Sequence, residues 1–480
     1  MEVCVSAVFA SRTASGQMSF RRKGPHIGLS AAHMNSPVYN GVSPAIGVKV
    51  GVARHDRNGA GVDTAHGKTS RCVTAAARRL RVLSLYEGFF AGGARALHST
   101  VVKELHASGG QVHSVLSIYR EMHRERLHQA MTSDWRYQSL RDAGVRIETL
   151  RRSAVGGDLS TFSEAELAVA TRHALGADVV LSLKEQPLHL ANQPGFPNRP
   201  LVVCLHRSDP EHQGLALTQL RFAIKANRVA AVVCCADSTR LAYQQAGIPG
   251  RLLTVIPNGV DLARFCPVPS AQRRRYRRAL RVPAQAAVVV FAARYDGMKN
   301  VPLFLAAARE FLQRREDGHV VMCGAGMSRS NTELRADLRI AFADRPDLLR
   351  RVRALGVRDD MPSIYAAADV VALTSSTGEA APLCLIEGMM CGAIPVATDI
   401  GDCLSIVDGH GLIAEPFPAA ISQAWEEAMA RRDEWTPALE QSRARFSHTR
   451  MAAAYAAVIE RVSGGRTLPS ARLKVSAVRP

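Results

Sequence analysis

The chain has 480 residues, a formal net charge of +19, 47% apolar residues and a mean hydropathy of −0.03. That length excludes a single small module, and the apolar content excludes a chain without a core, so two or three packed domains are expected. No run approaches the roughly 18–20 uninterrupted apolar residues of a membrane span, and the apolar patch at residues 3–10 lacks the basic lead-in of a secretory signal.

The charge is unevenly spread. Residues 1–80 hold 11 Lys or Arg against 3 Asp or Glu, and residues 463–480 add four basic residues and no acid. The excess therefore sits in the ends rather than on a folded face. This argues against a specific nucleic-acid site and leaves a general attraction to anionic surfaces, such as a peripheral contact at the inner membrane face. The ten cysteines form no CxxC or other zinc-type spacing and several lie in apolar runs, as small core residues of a reducing, cytoplasmic compartment would. Only 8 of the 61 basic residues are lysine, so each lysine stands out against an arginine habit.

Residues 1–78 show no hydrophobic period and are rich in Gly, Ser, Ala and Arg. They read as disordered, a targeting segment or a misassigned start, and a chain beginning at Arg79 is expected to keep its fold and turnover. Order begins at Leu80. From there short apolar runs alternate with amphipathic stretches, the signature of parallel α/β structure. Strands are predicted at 81–86, 112–118, 178–183, 201–205, 230–235 and 252–256, with helices at 94–107, 164–175, 215–227 and 238–246.

A break at Pro257-Asn258-Gly259, and again at Pro267 to Pro269, precedes a second series with strands at 287–292, 319–323, 370–373 and 394–397. Phe304, Ala307, Ala308, Phe311 and Leu312 keep the spacing of one buried helix face. The expected architecture is two doubly wound parallel sheets in tandem: 79–265, then 266–447. A helix at 448–463 packs back on the first domain, and a disordered basic tail covers 464–480. Sheets of this kind bind ligands at the carboxyl ends of their strands, so the cleft between the domains is the default site.

In the segment from Ser376 to Val396, Glu379 precedes a short apolar helix, Glu387 sits inside it, Gly392 stops it and a buried strand with Pro395 follows. A carboxylate at a loop–helix junction beside free backbone N–H groups makes a mixed site: amides suit a pyrophosphate, carboxylates suit sugar hydroxyls. The plain alternative for Glu387 is a solvent-facing glutamate. Upstream, Arg294 and Lys299 flank a Gly-containing turn at a strand end, where two fixed cations can neutralise charge building on a departing phosphate. Gly92-Gly93-Ala94 follows the first strand and opens a helix, either as a phosphate approach or as a simple entry turn. Cys323-Gly324-Ala325-Gly326 is a weak Gly-x-Gly signal on its own. His206 ends the strand at 201–205, while His113 and His189 read as structural. No Asp-x-Asp tripeptide occurs to hold a divalent metal on a pyrophosphate, so cationic side chains are expected to do that work.

Together these blocks resemble retaining glycosyltransferase family 4, whose signature is Glu-x7-Glu on the GT-B fold. The likeness is supported by Asp359-Asp360-Met361-Pro362, Tyr365 to Asp369 and Ala397-Thr398-Asp399, and it covers about residues 80–462. The resemblance implies that Glu387 binds the nucleotide ribose, Glu379 holds the donor sugar, and the amides of Leu383 and Cys384 contact pyrophosphate. It implies a phosphate clamp at Arg294 and Lys299, and it places Gly93 near the donor phosphate and His206 facing the donor sugar. Gly324 and Gly326 would let the backbone approach the nucleotide. The family carries Gly after the clamp lysine, and here Asn300 stands there. The function implied is transfer of a sugar from a nucleotide diphospho-sugar, UDP by frequency, to a small-molecule, lipid or polysaccharide hydroxyl. Configuration would be retained, with no metal and no cofactor beyond that co-substrate. Rival readings are a nucleotide-sugar epimerase on the same fold and a non-catalytic nucleotide-sugar or polyanion-binding protein.

Overall fold

In the computed structural model, residues 79–464 are described except 91, 125–126 and 152–160. Residues 1–78, expected to be disordered or dispensable, and the basic tail from 465 onward lie outside the described residues. In chain order the strands are β1 (Leu80–Tyr86), β2 (Gln111–Tyr119), the hairpin pair β3 (Glu121–Arg124) and β4 (Leu127–Ala130), β5 (Arg146–Arg151), β6 (Val179–Leu183), β7 (Leu201–Leu205), β8 (Val229–Cys234) and β9 (Leu253–Val255). A second series follows: β10 (Ala287–Ala292), β11 (Gly318–Cys323), β12 (Val352–Ala354), β13 (Val370–Leu373), β14 (Ile394–Ala397) and β15 (Leu412–Ile413).

The strands form two parallel sheets, ordered β5-β2-β1-β6-β7-β8-β9 and β12-β11-β10-β13-β14-β15. Helices cover both faces of such sheets, so central strands are apolar throughout. LVVCL of β7 is buried at every position, and AVVVFA of β10 at all but its last. These runs made the inner strands legible. β5 (RIETLR), β12 (VRA) and β15 (LI) lie at sheet edges, are short or polar, and left no apolar run to detect. The hairpin β3–β4 also went unpredicted.

In each sheet the strand order reverses beside its first strand, between β1 and β6 and between β10 and β13. Those two points are where crevices open at the carboxyl ends. The loop leaving β1 leads into the helix that starts at Gly93, and the loops leaving β6, β10 and β13 carry Lys184, Arg294 and Ser375 respectively.

Two packing features fix the lobes. Helix Val301–Arg314 buries Phe304 and Phe311 against Trp425, with ring centroids 5.5 and 5.8 Å away, inside the second core. Helix His448–Val462 follows the second lobe in sequence but packs on the first. Met451, Tyr455 and Ile459, four residues apart, are fully buried among Leu97, Val101 and Val82. Burying such side chains is worth roughly 1.5–3 kcal/mol each, enough to hold the helix to that lobe.

His98 and His113 are each 1% exposed in the first lobe, and burial pushes both imidazoles down to about 3 from 6.5. Below pH 6.5 the unfolded chain takes up protons that the folded chain refuses. The stability from neutral burial is therefore complete above 6.5 and is lost as pH falls toward 3, at about 1.4 kcal/mol per pH unit for each histidine. The melting temperature is expected to fall steeply between pH 6 and 5, and His98→Gln to flatten that slope. A melting temperature flat over this interval would contradict it.

Candidate active site

A cavity of about 550 Å³ lies where the two crevices face each other. Gly93, His206, Arg294, Lys299, Gly324, Glu379, Leu383, Cys384 and Glu387 all line it. Gly326 does not. Its φ of +77 and the close approach of Tyr295 Cβ, 2.7 Å from where its own Cβ would sit, make it a turn residue behind the wall. Gly324 is needed for a different reason: a Cβ there would lie 2.0 Å from the Ala293 carbonyl, so only glycine lets the loops after β10 and β11 cross.

The charged centre is an ion pair. Lys299 Nζ donates to Glu379 Oε1, which also accepts from Ser375 Oγ at 2.6 Å. Glu379 is 6% exposed, and a carboxylate so enclosed needs these partners. Lys299 is held by its backbone, since Thr374 Oγ1 donates to the Lys299 carbonyl at 3.1 Å. Asn300 follows in the left-handed region, with φ of 49°, and its Oδ1 accepts from Leu303 N at 3.3 Å. The position requires positive φ, which glycine and asparagine both supply, and asparagine adds an N-cap to the helix. The departure from the family pattern at Asn300 is thus conservative in backbone terms.

Arg294 pairs with Asp296 at 3.0 Å and Arg207 with Asp209 at 2.6 Å. Arg95 pairs with Glu87 at 2.8 Å while its guanidinium lies 3.1 Å from the Phe90 ring centroid. Arg294, Arg207 and Arg95 thus each face a carboxylate that an incoming anion could displace.

Glu387 lies on helix Leu383–Met390 (N-cap Pro382), beside the Tyr365 hydroxyl. Burial pushes its carboxyl up to about 7, only partly offset by Tyr365, Arg264 and Arg136. The amides of Leu383 and Cys384 open that helix and lack a side-chain cap, which leaves them available to an anion. Gly93 opens helix Gly93–Ala107 from the other lobe, and a Cβ on it would meet Leu383 Cδ1 at 3.3 Å. The two helix starts therefore face each other across the cleft. His206 presents a buried, unpartnered Nε2, and desolvation lowers its pKa to about 3, so the ring is neutral. The Cys384 thiol is pushed up to about 12 by burial, which removes it as a nucleophile at neutral pH.

Sequence reasoning missed Lys184, Arg207, Ser208, Asn258 and Asp402, whose importance comes from three-dimensional convergence. Lys184 had one available signal, as one of 8 lysines. Among the described residues no cluster of three His, Cys, Asp or Glu is grouped to hold a metal, and no helix is long and apolar enough to cross a membrane.

The fold and this site define a two-lobed GT-B-type glycosyltransferase scaffold. Residues 91–264 match the family described as Glycosyltransferase Family 4, and residues 286–431 match Glycosyl transferases group 1. The chain belongs to glycosyltransferase family 4. Among its relatives, D-inositol 3-phosphate glycosyltransferase of Geodermatophilus obscurus is 31% identical over 284 residues, 55% of this chain and 60% of that protein. The enzyme of the same name from Salinispora tropica is 37% identical over 184 residues, 35% of this chain and 37% of that one. The chain thus spans less than two thirds of these curated relatives. Among solved structures, Anabaena Alr3699/HepE in complex with UDP and glucose superposes with a TM-score of 0.64 at 22% identity, covering 80% of this chain and all of that one. A Rickettsia africae glycosyltransferase gives 0.61 at 14% identity, over 80% and 98%. At these identities the structural likeness shows the fold.

The raised pKa of Glu387 has a sign. Between 4.5 and about 7 the folded chain keeps a proton that the unfolded chain has lost, so this stability is full below 4.5 and is lost as pH rises through 7. Glu387→Gln is expected to raise the melting temperature of the unliganded protein at pH 8 and to change it little at pH 5. Equal shifts at both pH values would show that the carboxyl is not desolvated.

Proposed function

We propose that the protein transfers a sugar from a UDP-linked or related nucleotide diphospho-sugar to a hydroxyl acceptor, with retention of configuration and without a metal. The observation that carries this is the meeting, in one cavity, of the Lys299–Glu379 pair, Arg294, Glu387 and two opposed helix starts. Glu387 would accept hydrogen bonds from the ribose diol, and its carboxyl, raised to about 7, would gain the donors that burial denies it. Arg294, Lys299 and the helix-end amides would take up charge as the sugar–phosphate bond breaks, the task a divalent ion performs elsewhere. Glu379 would hold sugar hydroxyls, and neutral His206 can share a hydrogen bond with one through its unpartnered Nε2. The acceptor oxygen bonds to the anomeric carbon on the face the phosphate leaves, and the departing phosphate takes the hydroxyl proton. No side chain is needed as nucleophile, in keeping with the raised Cys384 thiol.

The expected outcome is an α-linked product from an α-linked donor by NMR, with initial rates unchanged by EDTA. Glu387→Ala should raise donor KM by roughly 10- to 150-fold, the scale of a charge-assisted hydrogen bond, while Arg294→Ala lowers mainly kcat. A β-linked product, EDTA inhibition reversed by magnesium, or sugar conversion without an acceptor would each defeat this reading.

The acceptor side of the cleft supports an anionic acceptor. Lys184 follows β6 with a left-handed φ of 67°, its carbonyl held by Ser182 Oγ at 2.8 Å. Among the described residues no carboxylate lies within ion-pair reach of its ammonium. Arg95, Arg207, Lys103 and Arg136 line the same wall. A lysine in a left-handed turn, near Glu185 and Glu87 but in ion-pair contact with neither, suits a phosphate, and the relatives named above are inositol-phosphate glycosyltransferases. Lys184→Met should raise KM for inositol phosphates about tenfold or more with donor KM unchanged, and leave any turnover of inositol unaffected. Burial lowers Lys184 to about 8, so wild-type affinity for the phosphorylated acceptor should fall as pH rises past 8. Equal KM changes for inositol and its phosphates would refute the assignment.

A further inference from the structure

Helix Asp237–Gln245 in the first lobe lacks a cap of its own. Its N-cap is Ala236, which has no side-chain acceptor, and Asp237 pairs outward with Arg240 at 3.1 Å. The cap comes from the other lobe. Asp402 Oδ2 accepts from Asp237 N at 2.9 Å and Asp402 Oδ1 from Ser238 N at 2.8 Å. A carboxylate at a helix N-terminus satisfies two orphan N–H groups and faces the positive end of the helix dipole.

Asp402 is also tied to the donor site. Its own N–H donates to the Ala380 carbonyl at 2.8 Å. Gly401, at φ +65, runs so close to this segment that a Cβ would lie 2.5 Å from the Glu379 carbonyl oxygen and 2.7 Å from that of Ala380. The first lobe grips the same stretch directly. Ser208 Oγ donates to the Glu379 carbonyl, Asn258 Nδ2 donates to the Ala381 carbonyl at 2.7 Å, and Cys235 and Ala236 pack on Ala380. The backbone that carries the partner of Lys299 is therefore registered by contacts from across the cleft.

We propose that Asp402 is a positioning residue: by capping helix Asp237–Gln245 in trans it latches the lobes together and sets the Glu379–Ala380 peptide for transfer. This rests on the glycosyl-transfer reading above. When the lobes part, the helix loses its cap and Glu379 loses its register in the same motion, so donor chemistry proceeds only in the closed form. Ser208 and Asn258 act in the same sense, but only Asp402 offers a charged, bidentate contact.

The test uses the full chain and two variants, one on each side of the latch. Asp402→Ala removes the acceptor. Asp237→Pro removes one donor at the first helical position, where proline is tolerated and the preceding Ala236 is already extended. Each is expected to lower kcat about tenfold with UDP-glucose and an inositol phosphate, and to keep donor KM within about twofold. The double variant should be no worse than Asp402→Ala alone, since both break one interaction. Asp402→Asn, which keeps one acceptor oxygen, should recover part of the rate. Small-angle X-ray scattering should show a larger radius of gyration for Asp402→Ala than for wild type, with melting temperatures close. Unchanged kcat and unchanged scattering, or fully additive losses in the double variant, would overturn the latch. An expanded Asp402→Ala in a protein that turns over no nucleotide sugar would keep the latch and defeat the transfer reading.

Discussion

A lysine and a serine donating to one glutamate oxygen fix the centre of the cleft. Enclosing Glu379 at 6% exposure would be costly without the Lys299 ammonium and the Ser375 hydroxyl on its carboxylate. That requirement fixes three segments at once: the loop after β10 that carries Lys299, the loop after β13 that carries Ser375, and the lead-in to helix Leu383–Met390. Because those segments begin where the second sheet reverses direction, the crevice of an open α/β sheet becomes a charged site. Neutralised pairs also keep the cleft from repelling itself when empty, and they give an incoming phosphate partners whose existing bonds it can replace.

The inner strands were legible because a strand buried on both faces must be apolar, as β7 and β10 are. The edge strands were not, since β5 alternates charge with apolar residues and β12 and β15 span only three and two residues. The site was legible wherever chemistry restricts residue type within one segment. Glu379, Glu387, Arg294 and Lys299 fall in that class. Gly326 shows the limit: a glycine forced by φ +77 against Tyr295 reads in sequence like a glycine forced by a ligand. Ser208 and Asp402 escaped because each acts on a segment distant in sequence, as with Ser208 and Glu379, 171 residues apart.

Titration divides the cleft into two kinds of group. His206, buried beside cations, is held neutral and can only share a hydrogen bond, whereas Glu387 sits near its own midpoint at neutral pH. A carboxyl so poised gains most from ligand donors, because each hydrogen bond to its charged form offsets the desolvation that raised it. Any ligand that donates to Glu387 would therefore couple its binding to charging of that carboxyl, and would shift the favoured pH upward.

The lobes are joined by two crossings of the chain that lie side by side. The chain crosses between them at Val260 and returns beside Ser447. These crossings are bonded to each other, with Val260 N donating to the Phe446 carbonyl at 2.8 Å and His448 N to that of Val260 at 2.9 Å. Gly259 permits the contact, since a Cβ there would lie 2.4 Å from the Ser447 carbonyl oxygen. Once across, helix His448–Val462 anchors through Met451, Tyr455 and Ile459 in the first core, so the second lobe is tethered at both of its ends to the same body. Hinges are a few loop or element-terminal residues, and the two adjacent crossings are where one between these lobes would lie. A closing rotation about them would stop where the polar contacts at Ser208, Asn258 and Asp402 form. Apolar surface between the lobes at this point is limited to small side chains around Cys235 and Ala380, so the stop is set by hydrogen-bond geometry rather than by a deep hydrophobic seal. An interface of that composition is of the polar, shallow kind that allows domains to separate.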